Sequence, residues 1–281
     1  AKMLWLIQTP PIQVAISDPG PRISELEKAQ QWAALADYFE TLTPKQRGAN
    51  LNSWLKALQK SGRWPRLLEI CDAVIPQLEA QSGPQLSIPR LERAQALSAL
   101  NRHAEAEAAH EQNGKLGHAD GFFNACVEAR NALDWPGLER CSEEMLAAKP
   151  TDPQALGWKG EALARQERFL DAEPLLRQAL QGDPSQAMAW NNLGRCLNAK
   201  RAWAEAVDAL STSIDLNPNE WEAHYNRGMA ELRLGRNEDG LKDLRAAVAG
   251  NPVDAQIRKD LAEAEAYVHP PAKTGHRASA R

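Results

Sequence analysis

Apolar residues in this chain recur at the spacing of helices, and the helical stretches come in pairs. Between residues 187 and 220, Leu193 and Leu197 lie four apart in a first stretch, and Ala206 and Leu210 lie four apart in a second. Residues four apart share one face of a helix, so each stretch has one apolar face to bury. The pattern predicts an all-helical chain built from helix pairs.

Three series of residues repeat along the chain with a period of 34. They are Pro150, Pro184, Pro218 and Pro252, then Gly160, Gly194 and Gly228, and finally Trp135, Phe169 and Trp203. A proline ends one helix and restarts the chain in a turn. A glycine inside a helix costs about 1 kcal/mol against alanine, which is tolerated where another helix must approach closely. A constant period of this length indicates stacked structural repeats.

These residues resemble the tetratricopeptide repeat family. Within residues 187–220 the matching positions are Trp190, Leu193, Gly194, Leu197, Ala206, Leu210 and Pro218. Leucine stands there at the two later positions where the family has aromatic residues. The resemblance is close over residues 119–254 and degenerate over residues 24–118. It implies an all-α fold, a superhelical array (an α-solenoid of antiparallel helix pairs) of about six repeats with a C-terminal capping helix.

The resemblance divides the chain into five segments. They are an extended apolar N-terminal arm at 1–22, degenerate repeats at 23–118, regular repeats at 119–254, a capping helix at 255–269 and a disordered basic tail at 270–281. Two residues depart from the family pattern. Gly240 stands where alanine is expected, and Pro174 lies inside a second helix, where we expect a local kink.

The N-terminal arm is apolar without being repeat-like, because Pro10 and Pro11 interrupt its two apolar runs. Its apolar core is too short for a secretory signal. Three interpretations stay open. The arm packs on the first helices, or it docks a partner or a second copy of the chain, or it is the remainder of a membrane anchor.

Charge and motif content exclude several classes of function. The net charge of −4 lacks the basic excess of a nucleic-acid surface, and no apolar run approaches the roughly 18 residues that span a bilayer. The four cysteines lack metal-ligand spacing, which predicts reduced thiols in the cytoplasm. His103 and His110 have no third ligand at a metal-like distance. No phosphate loop or nucleophile motif is present, so we expect no metal, no cofactor and no enzyme activity.

The resemblance also implies which residues line a binding groove. In the family, first helices line the concave face, with repeat positions 2, 5, 9, 12 and 13 pointing inward and position 6 at the edge. The candidate groove residues mapped in this way are Phe123, Asn124, Arg130, Trp158, Glu161, Arg165, Asn191, Asn192, Arg195, Asn198, Tyr225, Asn226, Met229 and Arg233. With Lys56 and Lys60 added from earlier repeats, basic residues outnumber acids six to one at the mapped positions.

Asparagine can donate to and accept from a peptide backbone, and arginine binds a carboxylate with two parallel hydrogen bonds. We therefore expect a protein–protein interaction scaffold or adaptor, such as an assembly factor or co-chaperone, that holds an acidic or C-terminal segment. The alternative is a regulatory or substrate-recruiting subunit of an enzyme whose catalytic domain is on another chain. Solvated helix faces without a ligand are the competing interpretation. The family's chaperone clamp is disfavoured, because only its position-6 asparagine recurs here.

Overall fold

The protein was analysed as a computed structural model that describes residues 18–80, 86–118 and 120–270. These residues form sixteen helices, in agreement with the predicted all-α fold. The helices are α1 (Gly20–Lys28), α2 (Trp32–Thr41), α3 (Pro44–Ala49), α4 (Leu51–Lys60), α5 (Trp64–Ala80), α6 (Ser87–Ala99), α7 (His103–Lys115), α8 (Gly121–Asn131), α9 (Trp135–Ala148), α10 (Pro153–Arg165), α11 (Phe169–Gly182), α12 (Ala187–Ala199), α13 (Trp203–Leu216), α14 (Trp221–Arg233), α15 (Asn237–Gly250) and α16 (Ala255–Val268). Most of the predicted arm and almost all of the predicted tail lie outside the described residues.

The helices belong to two compact units, residues 1–134 and residues 135–281. In the first unit, Leu35, Phe39, Leu55 and Leu97 are among the fully buried core residues. In the second unit, the core includes Leu176, Leu193, Leu197 and Leu210. Within each unit, helices that follow one another in the chain pack side by side, with the exception of α2 and the short helix α3. Each unit is therefore a run of helix pairs with its own apolar core.

The glycine series marks the closest approach within each helix pair. A Cβ atom built on Gly160 would lie 2.6 Å from Leu176 Cγ, and one on Gly194 would overlap Leu210 even more closely. Gly228 has a second glycine opposite, since its Cβ would lie 3.0 Å from the carbonyl oxygen of Gly240. The departure at Gly240 thus allows the backbones of α14 and α15 to approach each other directly.

A left-handed residue joins the two helices of each regular repeat. Glu167, Arg201 and Gly235 are 34 apart and have φ values of +61°, +61° and +75°. The next residue's amide closes the turn, as when the N–H of Arg168 donates to the carbonyl of Leu163 at 2.9 Å. This is the Schellman arrangement, which satisfies carbonyl groups at the end of the first helix.

Two other helix features have local causes. Helix α11 continues unbroken through Pro174. The carbonyl that loses its donor is that of Leu170, whose side chain is 75% exposed, so water can hydrate it. Helices α10 and α16 begin alike, because Oδ1 of Asp152 and of Asp254 each accepts two backbone N–H bonds of the first turn. Such caps satisfy donors that have no partner inside the helix.

The cysteines differ from the expectation of four reduced thiols. Cys71 and Cys196 are buried free thiols, and burial raises the pKa of each to about 12. Cys126 and Cys141 are disulfide-bonded, so the expectation is wrong for these two. One reason for expecting a cytoplasmic location is thereby removed. Among the described helices, none has the length and apolar character needed to cross a membrane.

The left-handed turn gives a direct stability prediction. Replacing Gly235 by alanine should lower the free energy of unfolding by about 1 kcal/mol, because the backbone there favours glycine although nothing lies within 4 Å of the new methyl group. Urea unfolding followed by circular dichroism measures the change. The control is Gly48→Ala in α3, which also meets open space but has a helical backbone. Equal effects of the two substitutions would contradict the role of the turn.

Candidate functional site

The candidate residues of the second unit lie on three consecutive first helices, α10, α12 and α14. We call these helices the first-helix layer. Helix α12 packs against both α10 and α14, which brings the candidates of the three helices together. They are Trp158, Glu161 and Arg165 on α10, Asn191, Asn192, Arg195 and Asn198 on α12, and Tyr225, Asn226, Met229 and Arg233 on α14. Phe123, Asn124 and Arg130 lie on α8 in the other unit.

Arg165 forms an ion pair with another residue of the first-helix layer. Its Nη1 and Nη2 atoms donate to Oε1 and Oε2 of Glu222 at 3.0 and 2.6 Å, and its guanidinium lies 5.3 Å from the ring centre of Trp135. Glu222 lies at position 2 of its repeat, so the spacing that located the other candidates could also have located it. The pair cancels much of the positive charge that counting basic residues assigned to this surface.

Arg195 is the neighbouring arginine, and it has no such partner. Its guanidinium forms no hydrogen bond or ion pair with any described residue, and its Nη1 atom is buried without an acceptor. Burial lowers the pKa of Arg195, and the positive charge of Arg165 lowers it further. Since an arginine stays charged in proteins, this side chain offers a partly desolvated cation. A ligand that brings a carboxylate or carbonyl oxygen would satisfy it.

The asparagine side chains near Arg195 use only part of their hydrogen-bonding capacity within the protein. The Nδ2 atom of Asn226 donates to Asn191 Oδ1 at 3.0 Å, and Asn198 Nδ2 donates to the Asn226 carbonyl at 2.9 Å. Asn192 Nδ2 donates to the carbonyl of Met188 at 3.0 Å. One buried donor, Asn191 Nδ2, and two buried acceptors, Asn192 Oδ1 and Asn198 Oδ1, remain without partners. The layer therefore holds both kinds of hydrogen-bonding group that an extended peptide backbone can use.

The remaining candidates differ in what they can offer a ligand. The hydroxyl of Tyr225 donates to Asp260 Oδ2 at 2.7 Å, which ties α14 to the last helix, α16. Met229 packs in the small core beneath that helix. Trp158 and Glu161 are buried. Arg233 is exposed. Phe123 is 43% exposed, while Asn124 and Arg130 are half-buried.

A buried ionic network fixes α14 against α15. Asp243 accepts from Arg227 Nε and Nη2 at 2.7 and 2.9 Å, and its Oδ1 lies 3.1 Å from His224 Nδ1. Burial raises the pKa of Asp243, but hydrogen bonds from Arg227 and His224 outweigh burial and hold that pKa below its ordinary value. His224 Nε2 also lies 3.1 Å from the carbonyl of Pro218. The Trp190 Nε1 bond to Pro184, at 2.9 Å, is its counterpart one repeat earlier.

Comparison with known proteins assigns the repeats. A tetratricopeptide repeat model matches residues 143–185, 159–220, 203–255 and 225–266. Residues 143–266 are therefore tetratricopeptide repeats, as the resemblance of the sequence implied. Tetratricopeptide repeats are scaffolds for protein–protein interaction, and the chain carries such a scaffold in its second unit.

Two curated relatives and one solved structure show how far the similarity extends. Human tetratricopeptide repeat protein 33 is 26% identical over 156 residues, which are 56% of this chain and 55% of that protein. Protein FlbA of Caulobacter vibrioides is 33% identical over 109 residues, 38% of this chain and 18% of that protein. The chain thus spans little more than half of one relative and under a fifth of the other. The crystal structure of the APC/C hetero-tetramer Cut9–Hcn1 has a TM-score of 0.54 at 15% identity, covers 86% of this chain and 54% of that chain, and shows the fold alone.

The Asp243 network predicts a pH-dependent loss of stability. Asp243→Asn should lower the free energy of unfolding at pH 7 by about 3 kcal/mol, because it leaves Arg227 partly buried beside a neutral group. Since the pKa of Asp243 is lower in the folded chain than in the unfolded chain, the stabilisation is present above about pH 4 and is lost as the pH falls further.

Urea unfolding of both proteins at pH 7 and pH 3 measures this difference. The free energies of unfolding of the variant and the parent should differ less at pH 3 than at pH 7. Asp171→Asn is the control, since Asp171 and its partner Arg168 are exposed and their pair contributes under about 1 kcal/mol. A difference that does not change with pH would argue against the network.

Proposed function

We propose that the first-helix layer binds an extended peptide segment of a partner protein, with Arg195 receiving a carboxylate of that segment. The observation that carries the proposal is the buried, unpartnered Nη1 atom of Arg195. A buried polar group without a partner costs about 1–3 kcal/mol, more when charged, and a ligand that supplies the partner recovers that free energy. A charge-assisted hydrogen bond to a carboxylate is the strongest partner available.

The asparagines around Arg195 support a peptide rather than a small anion. Asn191 Nδ2 can donate to a backbone carbonyl, while Asn192 Oδ1 and Asn198 Oδ1 can accept from backbone N–H groups. An extended chain presents donors and acceptors in alternation along its length. A fully deprotonated inorganic anion such as sulfate has no donor for the two acceptors. The pattern of unused groups therefore favours a peptide with a carboxylate at one point.

In this proposal the chain acts as an adaptor, an assembly factor or a co-chaperone, and it has no catalytic step of its own. A regulatory or substrate-recruiting subunit of an enzyme on another chain would use the same surface and differs only in the partner. Self-association through the N-terminal arm and a cytoplasmic location stay predictions from the sequence. The pairing of Arg165 with Glu222 concentrates the proposed recognition of the acidic group on Arg195.

Selection from a random peptide library with free C-termini tests the proposal. The immobilised chain should enrich peptides that carry an acidic side chain or depend on the terminal carboxylate, and Arg195→Glu should reduce their affinity by about tenfold or more. Amidating the C-terminus of an enriched peptide distinguishes the two sources of the carboxylate. Fluorescence anisotropy with the selected peptides measures the affinities.

Lys242→Glu on α15 is the matched control, because it makes the same charge change at an exposed lysine outside the first-helix layer. It should leave peptide binding unchanged, and circular dichroism should show that both variants are folded. Failure of the parent chain to enrich any peptide, or equal effects of the two charge reversals, would refute the proposal.

A further inference from the structure

The close packing of consecutive first helices is interrupted in the unit of residues 1–134. There α4 packs against α6, as α10 packs against α12 in the other unit. Among the described helices, α6 and α8 pack less closely than these pairs, although Ser98 of α6 donates to Glu128 of α8 at 2.6 Å. Two cavities, of about 230 and 370 Å³, lie among α6, α7 and α8. The larger volume is within the roughly 300–1,000 Å³ range of small-ligand sites.

His110 lines both cavities and has no hydrogen-bond partner in the part of the chain that the structure describes. The side chain is 4% exposed, and its Nδ1 atom is buried without a partner among the described residues. Burial lowers the pKa of His110, so its imidazole is neutral near pH 7 and keeps one lone pair that can accept a hydrogen bond. Asn124 lines both cavities as well, and its carboxamide forms no hydrogen bond within the described residues. His110 therefore brings a buried acceptor without a partner to the cavities, and Asn124 brings a carboxamide that is open to solvent or a ligand.

The larger cavity also presents a fixed carboxylate. Glu128 is 4% exposed, and its Oε1 accepts from Ser98 Oγ at 2.6 Å while its Oε2 lies 2.7 Å from His103 Nδ1. These contacts hold the carboxylate in one position at the cavity wall. A group that enters the cavity meets an oriented negative charge.

Other residues that line the cavities also favour a cation over an anion. Trp64 lines the larger cavity and Asp120 lines the smaller one, while no lysine or arginine of the described residues lines either cavity. An indole ring attracts a cation placed over its face. An anion would meet the carboxylates of Glu128 and Asp120 without a compensating positive side chain. The lining therefore favours a positively charged hydrogen-bond donor.

We propose that the cavities between α6 and α8 bind an organic cation, a guanidinium or alkylammonium group, which donates hydrogen bonds to Glu128, His110 and Asn124 and lies against Trp64. The group is the side chain of an arginine or lysine of a partner or the end of a small amine, since both present the same chemistry. This site lies on other helices than the first-helix layer and selects the opposite charge. It does not depend on the function proposed for Arg195.

Isothermal titration of the full chain with agmatine, and separately with the peptide acetyl-Gly-Arg-Gly-amide, tests the site. At least one probe should bind saturably, and butylurea, which lacks the charge, should not bind. Tighter binding of agmatine assigns the site to a small amine, and tighter binding of the peptide assigns it to a partner's side chain. Absence of binding by both cationic probes at about 10 mM would overturn the proposal.

Two variants locate the binding in these cavities. Glu128→Gln removes the charge and keeps the shape, and it should weaken binding by about tenfold or more. Asn124→Leu replaces a half-buried group that makes no hydrogen bond, so it should fold normally and also weaken binding. Glu27→Gln on α1 is the control for loss of one acidic charge in the same unit and should bind as the parent does. Unchanged binding by Asn124→Leu, with normal circular dichroism, would overturn the assignment even if Glu128→Gln does not fold.

Discussion

The regular part of this chain depends on one contact, which brings a glycine of each first helix against a leucine of the second helix. Gly160 meets Leu176, and Gly194 meets Leu210 one repeat later, at distances that leave no room for a Cβ atom. The helices of a pair are therefore held at one separation. Because the same contact returns after 34 residues, the polar residues of the first helices also return at that interval. The candidate binding surface follows from this repeat, since α12 packs against both α10 and α14 and the candidate side chains of the three helices recur at the same interval.

The last repeat reaches its packing in another way. Gly240 lies opposite Gly228, so the contact there is between backbones and a leucine side chain contributes less. The apolar core under the final helix is small, with Leu241, Leu244 and Ala264 as its buried members. Polar interactions compensate, because Arg227 and His224 hold Asp243, and Tyr225 holds Asp260 of α16. The end of the array thus relies on oriented hydrogen bonds where the interior relies on close apolar contact.

Features that depend on neighbours a fixed number of residues apart could be predicted from the sequence. The helix pairs, the 34-residue period and the glycine contacts belong to this class, since each leaves a recurring residue type. The left-handed turns at Glu167 and Arg201 could not be found in this way, because neither residue is the glycine that usually marks such a backbone. Ion pairs between residues that are far apart in the sequence could not be predicted either. Arg165 and Glu222 are 57 residues apart, and counting charges helix by helix could not show that they neutralise each other.

The cavities beside the unpartnered Nδ1 atom of His110 are a third kind of feature, because they lie where α6 and α8 pack less closely than other first helices do. A sequence pattern can indicate which residues are apolar enough to pack, but it does not indicate how closely two helices approach each other.

Charged side chains on a helical array differ in what they indicate about a ligand. Several basic residues of the second unit pair with an acid on another helix, as Arg168 pairs with Glu139 and Lys200 with Glu173. The basic side chains of these pairs are 48% and 43% exposed, so the pairs contribute little free energy and indicate little about ligands. A partly buried arginine that makes no hydrogen bond to an acid is different, because its desolvation opposes folding and no hydrogen bond offsets that cost. Arg195 is in this position on a surface that also leaves three asparagine atoms unsatisfied. A fold retains such a group at the expense of its own stability, and binding an oxygen-bearing ligand is the physical role that accounts for it.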